Sequence, residues 1–317
     1  MWYDKAQAGD AEAQYKLAQC YFNGTYNIKK DEEQAFSWAQ KSADQQYPPA
    51  TFLLGEFYDR GIVVEQDQAK AKEYYDLSYK QALPLAEKGD TTAQTTVGMY
   101  FTVIKNDSKT AVEWYKKAAD QDCAYAQCVL GVCYKIGDGV KKDLKKAYNL
   151  FKKSAEHGEP GGQFNFGECY YDGHGVKKDY KTAVIWFRKA AEQGSAMAQN
   201  NLGYCYQHGH GIEQNLEQAI YWYTKAAEND LDDAQNTLGY CYEKGIGVAI
   251  DYNKAVYWYQ KALDQGNVQA CLNLGYCYAN GLGVEMNKQA AIELYQAAAR
   301  EGSTEAQDVL RNNGLSW

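Results

Sequence analysis

Nine cysteines, four histidines and a recurring G-x-G phrase are the parts of this 317-residue sequence with the means for chemistry. Cysteines could pair, bind a metal or attack a carbonyl, histidines could ligate or carry protons, and a glycine-rich loop could cradle a phosphate. Position decides against each. Cys133, Cys169, Cys205, Cys241 and Cys277 stand two residues after Gly131, Gly167, Gly203, Gly239 and Gly275, glycines spaced 36 residues apart, and Cys20 stands likewise after Ala18. Repeating units stack about 10 Å apart, beyond the ~7 Å that disulfide Cα atoms can span. One cysteine per unit in a core slot therefore reads as a small buried thiol in a reducing compartment. Cys123, Cys128 and Cys271 fall outside this slot, and Cys128 and Cys133, five residues apart, face different sides of one helix.

His174 and His210 share one variable slot inside successive G-x-G phrases, beside His208. Equivalent slots a repeat apart do not converge to within about 2 Å of a single ion, so no metal site is expected. The G-x-G phrases follow no strand and recur in every unit, which removes them as a nucleotide fingerprint. No nucleophile elbow, H-E-x-x-H or isolated carboxylate pair interrupts the pattern. No catalytic residue and no cofactor are expected, and the chain does not read as an enzyme.

The elements that would carry these residues follow from the 36-residue beat. Alanine lies five before the glycine (Ala126, Ala198, Ala234, Ala270), a large apolar residue one before (Leu130, Phe166, Leu202, Leu238, Leu274) and tyrosine three after (Tyr134, Tyr170, Tyr206, Tyr242, Tyr278). Steps of four put all three on one helical face. A G-x-G-[VI] turn comes next, then Asp143, Asp179, Asn215, Asp251 or Asn287 in N-cap position for a second helix such as the one holding Ala219, Trp222, Tyr223 and Ala226. That helix is expected to end at a glycine in C-cap position, as at Gly194, Gly266 and Gly302. Each unit is a helical hairpin that cannot bury its apolar face alone, so the units must stack.

The expected organisation is one all-α solenoid over residues 1–317: irregular repeats in 1–122, five regular repeats in 123–302 and a capping half-repeat in 303–317. Seven extra residues separate Gly55 from Gly98, about two helical turns, and Pro84 lies within them. The Gly98 unit lacks three residues and the G-x-G turn, and the first unit has Ala18 for glycine. Residues 2–10 resemble the close of a second helix, either as a solitary capping helix or as the edge of a longer protein, in which case a targeting segment lies outside this sequence. Arg311, in the glycine position, suits a terminal half-repeat and a genuine C-terminus. Lys plus Arg is 33 against 41 for Asp plus Glu, a net charge of -8, which speaks against nucleic acid or an anionic membrane as partner. No run approaches the 18 apolar residues of a membrane span.

The phrase A-x-x-x-L-G-x-x-Y-x-x-G-x-G-V-x-x-D-x-x-K-A-x-x-W-Y-x-K-A-A-x-x-G resembles the Sel1-like repeat, a relative of the tetratricopeptide repeat, over essentially the whole chain. The resemblance implies an α/α superhelix of about eight repeats, right-handed, with the first helices lining a concave surface. It also implies an adaptor that binds proteins or peptides in signalling, in endoplasmic-reticulum degradation complexes or in bacterial contact with host cells. Cysteine-rich exported relatives pair two cysteines within each repeat, a spacing absent here.

With -5, -1, +2 and +3 facing the core, positions -3, -2, +1 and +5 point the other way. These carry Tyr204, Tyr240 and Tyr276 with Glu168 at +1, Asn165, Asn201 and Asn273 at -2, Asn200 and Asn236 at -3, and His208 and Lys244 at +5, with Tyr171 beside them at +4. Tyrosine offers rigid apolar area with a polar tip and asparagine offers both donor and acceptor, the mixture of a peptide-binding groove. A groove for an extended peptide or protein, neutral to basic given the acidic surface, on a monomeric chain, is the expectation. Bonding between adjacent repeats and a self-assembling solenoid without a groove are the alternatives.

Overall fold

The computed structural model describes residues 2–26 and 28–317. The described residues form eighteen helices and no strands. Their contacts divide into two compact units, Met1–Ser195 and Ala196–Trp317, each a run of stacked hairpins.

In the first unit α1 (Trp2–Gln7) precedes five hairpins. Their first helices are α2 (Ala11–Asn23), α4 (Pro48–Arg60), α6 (Thr91–Val103), α8 (Ala124–Ile136) and α10 (Pro160–Asp172). The second helices are α3 (Glu32–Ala43), α5 (Gln68–Glu87), α7 (Ser108–Ala119), α9 (Leu144–Glu156) and α11 (Tyr180–Glu192). The second unit pairs α12 (Ala196–His208) with α13 (Leu216–Glu228), α14 (Asp232–Lys244) with α15 (Tyr252–Asp264) and α16 (Val268–Asn280) with α17 (Lys288–Arg300), followed by α18 (Thr304–Asn312). Within the units first helices touch first helices, α4 with α6, α8 with α10 and α14 with α16, so they form an inner layer.

The beat glycine makes each hairpin close. A Cβ placed on Gly203 would stand 2.8 Å from the Tyr223 ring, on Gly239 2.7 Å from Tyr259, and on Gly131 2.6 Å from Phe151. Real Cβ atoms do not approach that closely, so glycine here is a seat for a ring of the second helix. The seat survives in the edited hairpins, with Gly55 against Tyr75 at 2.7 Å and Gly98 against Tyr115 at 2.5 Å. The sequence edits fall elsewhere: α5 absorbs the extra residues and runs to 20 residues, with Pro84 inside it.

Turn chemistry fixes the loop length. The N-cap residue of each second helix donates its backbone N–H to the carbonyl of the aromatic residue at +3, as in Asp143 to Tyr134 (2.9 Å), Asp179 to Tyr170 (2.8 Å), Asp251 to Tyr242 (2.9 Å) and, in the shortened hairpin, Asp107 to Phe101 (2.9 Å). The same side chain accepts from the second helix's first turn, as Asp251 does from the Lys254 N–H. Gly247, at φ 68°, brings its backbone against the Leu216 carbonyl at the head of the preceding second helix, where a Cβ would stand 2.7 Å away. The glycines closing the second helices lie one residue past the expected C-cap. Gln193, Gln265 and Glu301 cap, and Gly194, Gly266 and Gly302 follow at φ 96°, 86° and 91°.

Stacking between hairpins uses a device the apolar pattern does not announce. A buried glutamine four before the glycine donates to a carbonyl at the end of the preceding second helix, as in Gln127 to Ala119 (3.3 Å) and Gln235 to Ala227 (3.1 Å). Its oxygen then accepts from the end of its own hairpin, from Gln265 to Gln235 at 2.8 Å and from Asn229 to Gln199 at 3.1 Å. Helix C-terminal carbonyls that lack intrahelical partners are thereby satisfied inside the interface.

Replacing Gly203 with alanine forces the Tyr223 ring off its seat. Gly203→Ala is expected to lower stability by about 1–3 kcal/mol, read as a drop in thermal midpoint by circular dichroism, with helical content unchanged at low temperature.

Candidate functional site

The tyrosines of the second unit stand on the inner-layer helices at the expected places. Tyr204 on α12, Tyr240 on α14 and Tyr276 on α16 keep 43 %, 43 % and 46 % of their surface accessible. They face outward because +1 points away from the seat that the glycine offers to the second helix.

Lys244 organises two of them. Its ammonium lies 5.7 Å from the Tyr240 ring and 5.6 Å from the Tyr276 ring, and 2.6 Å from Glu243 Oε1. Glu243 is 6 % exposed and uses its other oxygen to accept the Tyr259 hydroxyl at 2.7 Å. A buried carboxylate thus ties the ring seated on Gly239 to a lysine on the accessible face. The bond to Glu243 holds the Lys244 ammonium above its usual range, and burial followed by the same carboxylate raises the Tyr259 phenol well above its own. Lys244 remains charged and positioned at neutral pH, a cation between two aromatic faces.

The asparagines divide. Asn273 donates to Asn236 Oδ1 at 2.8 Å, an amide bridge between adjacent hairpins that leaves a donor on Asn236 available. The buried Oδ1 of Asn200 meets no donor among the described residues, and Asn201 beside it is half-buried. His208 packs on Tyr204 with ring centroids 4.2 Å apart, and His210 lies 5.7 Å from both rings.

Three of the sequence-selected residues belong to the first unit. Asn165 donates to the Gly161 carbonyl at 2.8 Å, and Glu168 pairs with Lys135 at 2.7 Å, which neutralises it. Tyr171 turns toward its own hairpin, with its ring 4.9 Å from Tyr180 and 6.0 Å from Phe187. Position +4 sits over the seam. Where the seated ring is tyrosine, a polar +4 residue can take its hydroxyl, as Gln207 does from Tyr223 (2.8 Å) and Glu243 from Tyr259, whereas Ala279 opposite the seated Tyr295 cannot. Where it is phenylalanine, +4 is free to do otherwise, as Tyr171 and Lys135 do. Sequence reading passed over Glu243; its signal is a carboxylate at +4 joined to tyrosine 16 residues later.

The cysteines are free thiols. Burial pushes Cys169, Cys205, Cys241 and Cys277 up to about 12, and Cys133 to about 11. Thiolate, the nucleophile and metal ligand, is scarce there at neutral pH. His174 Nδ1 lies 3.9 Å from Asp172, and among the described residues no three His, Cys, Asp or Glu side chains converge as a metal set would.

With this geometry in hand, the Sel1 repeat sequence model matches residues 11–47, 48–83, 99–123, 124–159, 160–195, 196–231, 232–267 and 268–303. Among solved structures the chain is similar to a Sel1 repeat protein from Oxalobacter formigenes, 28 % identical, with a TM-score of 0.65 over 98 % of this chain and 89 % of that one. It is also similar to a protective antigen of uropathogenic Escherichia coli with an SLR fold, 34 % identical, with a TM-score of 0.59 over 96 % of this chain and 65 % of that one. Among curated proteins it is similar to Activator of C kinase protein 1 of Saccharomyces cerevisiae, 38 % identical over 82 residues, 23 % of this chain and 13 % of that protein. The similarity spans 8 to 18 % of the length of the first curated relatives. No described helix is long and apolar enough to cross a membrane.

Two measurements check this chemistry. Tyr259→Phe is expected to cost about 1–2 kcal/mol at pH 7 by removing a bond to a buried carboxylate. Because folding raises the Tyr259 phenol above its ordinary 10.0, its contribution is complete below that pH and fades as pH climbs, so the difference between variant and wild type narrows in alkali. A disulfide-exchange reagent at pH 8 should label Cys123 readily, whereas Cys205, Cys241 and Cys277 react only after denaturation.

Proposed function

The chain belongs to the Sel1 repeat family, and from that premise we propose that it is an adaptor holding an extended segment of a partner protein along α12, α14 and α16. The observation that carries this reading is the row of accessible Tyr204, Tyr240 and Tyr276, with Lys244 held between two of the rings by a buried glutamate. Accessible aromatic rings repeated on neighbouring helices are an expensive way to face water, and they match the rigid, amphipathic anchors of protein interfaces. Asn236 and Asn201 add hydrogen-bonding capacity beside them, suited to a peptide backbone.

The partner is a neutral to basic segment, in keeping with the net charge of -8. The adaptor acts as a monomer without catalysis of its own, since the accessible side chains offer contact area and hydrogen bonds rather than an activated nucleophile. Free, buried cysteines suit a reducing compartment such as the cytoplasm.

The test is a double variant, Tyr240→Ala with Tyr276→Ala, against a partner crosslinked and recovered from the native host. Loss of about 2 kcal/mol or more, roughly thirtyfold in affinity, is expected, with the thermal midpoint unchanged and a monomer by light scattering. Unchanged affinity, or a wild-type chain that self-associates through these rings, would remove the proposal.

A further inference from the structure

The first unit closes on itself. The Tyr26 N–H donates to the Gln193 carbonyl at 3.3 Å, the Tyr26 hydroxyl donates to Gln193 Oε1 at 3.3 Å, and Trp2 packs edge-on against the Tyr26 ring at 5.1 Å. Gly194 lies so near that a Cβ would stand 2.7 Å from Thr25 Cα. The loop of the first hairpin therefore meets the end of the fifth, and the run of hairpins between them is enclosed. The last hairpin of the second unit is finished differently, and its outer surface is left open.

What normally covers that surface is written in the second helices. A tryptophan there is followed three residues later by a lysine that covers its ring, at 4.0 Å for Lys41 on Trp38, 3.7 Å for Lys117 on Trp114 and 4.0 Å for Lys189 on Trp186. Helices α13 and α15 keep the same pair of residue types. In the fifth hairpin the indole rests on the inner layer, with the Trp186 ring 5.1 Å from that of Phe166 at -1. A further lysine, four residues before the tryptophan position, covers the tyrosine at +3, as Lys254 does Tyr242 at 5.1 Å and Lys146 does Tyr134 at 5.3 Å.

Helix α17 lacks all three, with Leu294 in the tryptophan place and Ala297 and Ala290 in those of the two lysines. What remains is a cleft of about 320 Å³ between α15 and α17, floored by α16. Leu263, Leu274 and Leu294 form its apolar wall, and Tyr278, Gln260 and Glu293 its polar edge. An apolar cavity of roughly 150 Å³ holds one benzene ring, so this cleft has room for an indole. Its polar groups keep capacity for a guest. Gln260 donates to Asp264 at 2.8 Å, which leaves its own oxygen as an acceptor. Three repeats earlier Tyr148 meets the Tyr170 hydroxyl at 3.0 Å, and Val256, standing in the place of Tyr148, makes no such claim on Tyr278. Glu293 accepts a hydrogen bond from Gln289 at 2.9 Å and has no ion pair among the described residues.

We propose that this cleft is a second docking site, separate from the tyrosine row, for a partner segment carrying a tryptophan with a lysine or arginine one helical turn away. The indole lies on Leu274 and Leu263 beside Leu294, and its N–H is taken by the Tyr278 hydroxyl or the Gln260 oxygen. The cation lies over the Tyr278 ring beside Glu293, where earlier hairpins place a lysine of their own. The guest thus supplies the outer layer with the residue types that the repeat supplies to itself elsewhere, and an acidic segment is repelled by Glu293.

The experiment uses the full chain and a fluorescein-labelled Gly-Ser peptide holding one tryptophan and, three residues on, one lysine, followed by fluorescence anisotropy. Control peptides carry alanine for the tryptophan or glutamate for the lysine. The first peptide is expected to bind saturably, the alanine peptide at least ~10-fold more weakly and the glutamate peptide at least ~5-fold more weakly. Leu294→Trp with Ala297→Lys gives α17 the cover of its neighbours and is expected to weaken the first peptide at least ~10-fold by occupying the cleft. Glu293→Lys, at an exposed position, is expected to weaken it at least ~5-fold and carries the test if the filled variant does not fold. Tyr240→Ala with Tyr276→Ala should leave it unchanged, so failure here and failure of the tyrosine-row groove are told apart. Absence of saturable binding, equal binding of the alanine peptide, or undiminished binding by either cleft variant would overturn the site. So would loss of binding in the Tyr240/Tyr276 variant.

Discussion

The contact on which the hairpins depend is a bare glycine backbone facing an aromatic ring of the second helix, Gly203 under Tyr223, Gly239 under Tyr259 and Gly131 under Phe151. The missing side chain lets two helices approach until the Cδ1–Cε1 edge of the ring fills the gap. Other features follow from that approach. The leucine at -1 is buried with the seat, as is the cysteine at +2 beside Gly203 and Gly239, while Cys133 beside Gly131 is half-buried; the residue at +4 lies over the ring's edge, and +1 is turned away from it. The same geometry that closes the core therefore selects which residues are left to meet a partner.

Polar groups complete what the rings begin. In the stacking direction buried glutamines such as Gln127 and Gln235 join the end of one hairpin to the beginning of the next, and in the seam direction Gln207 and Glu243 take the hydroxyls of Tyr223 and Tyr259. Lys244 shows the reach of this arrangement, since its place between Tyr240 and Tyr276 is set by a carboxylate that is itself fixed by a core tyrosine.

Much of this was readable from spacing, and the reasons for the remainder are physical. The 36-residue beat exposes hairpins, N-caps such as Asp143 and Asp251, and the outward place of Tyr204, Tyr240 and Tyr276, because each depends on helical periodicity within one unit. Gln127 and Gln235 were not legible, because a polar residue inside a helix reads as solvated until a neighbouring helix end supplies the carbonyl that buries it. Tyr171 depends on what sits opposite, a phenylalanine that makes no claim on +4. The amide bridge of Asn236 with Asn273 joins two adjacent hairpins and belongs to neither pattern alone. Enclosure in the first unit lies furthest from the sequence, since it is a sum of small rotations over five hairpins.

That enclosure alters what kind of object the first unit is. A stacked array whose members touch only their neighbours tolerates the gain or loss of a member, and its ends fray independently. The bond from Tyr26 to Gln193 joins residues 167 apart in sequence and ties the first hairpin to the fifth. Duplicating or deleting one hairpin between them would carry Gln193 out of reach, so the number of hairpins in this unit is counted by its own closure. Evolution by slippage, the ordinary way such arrays change length, is thereby confined to the rest of the chain.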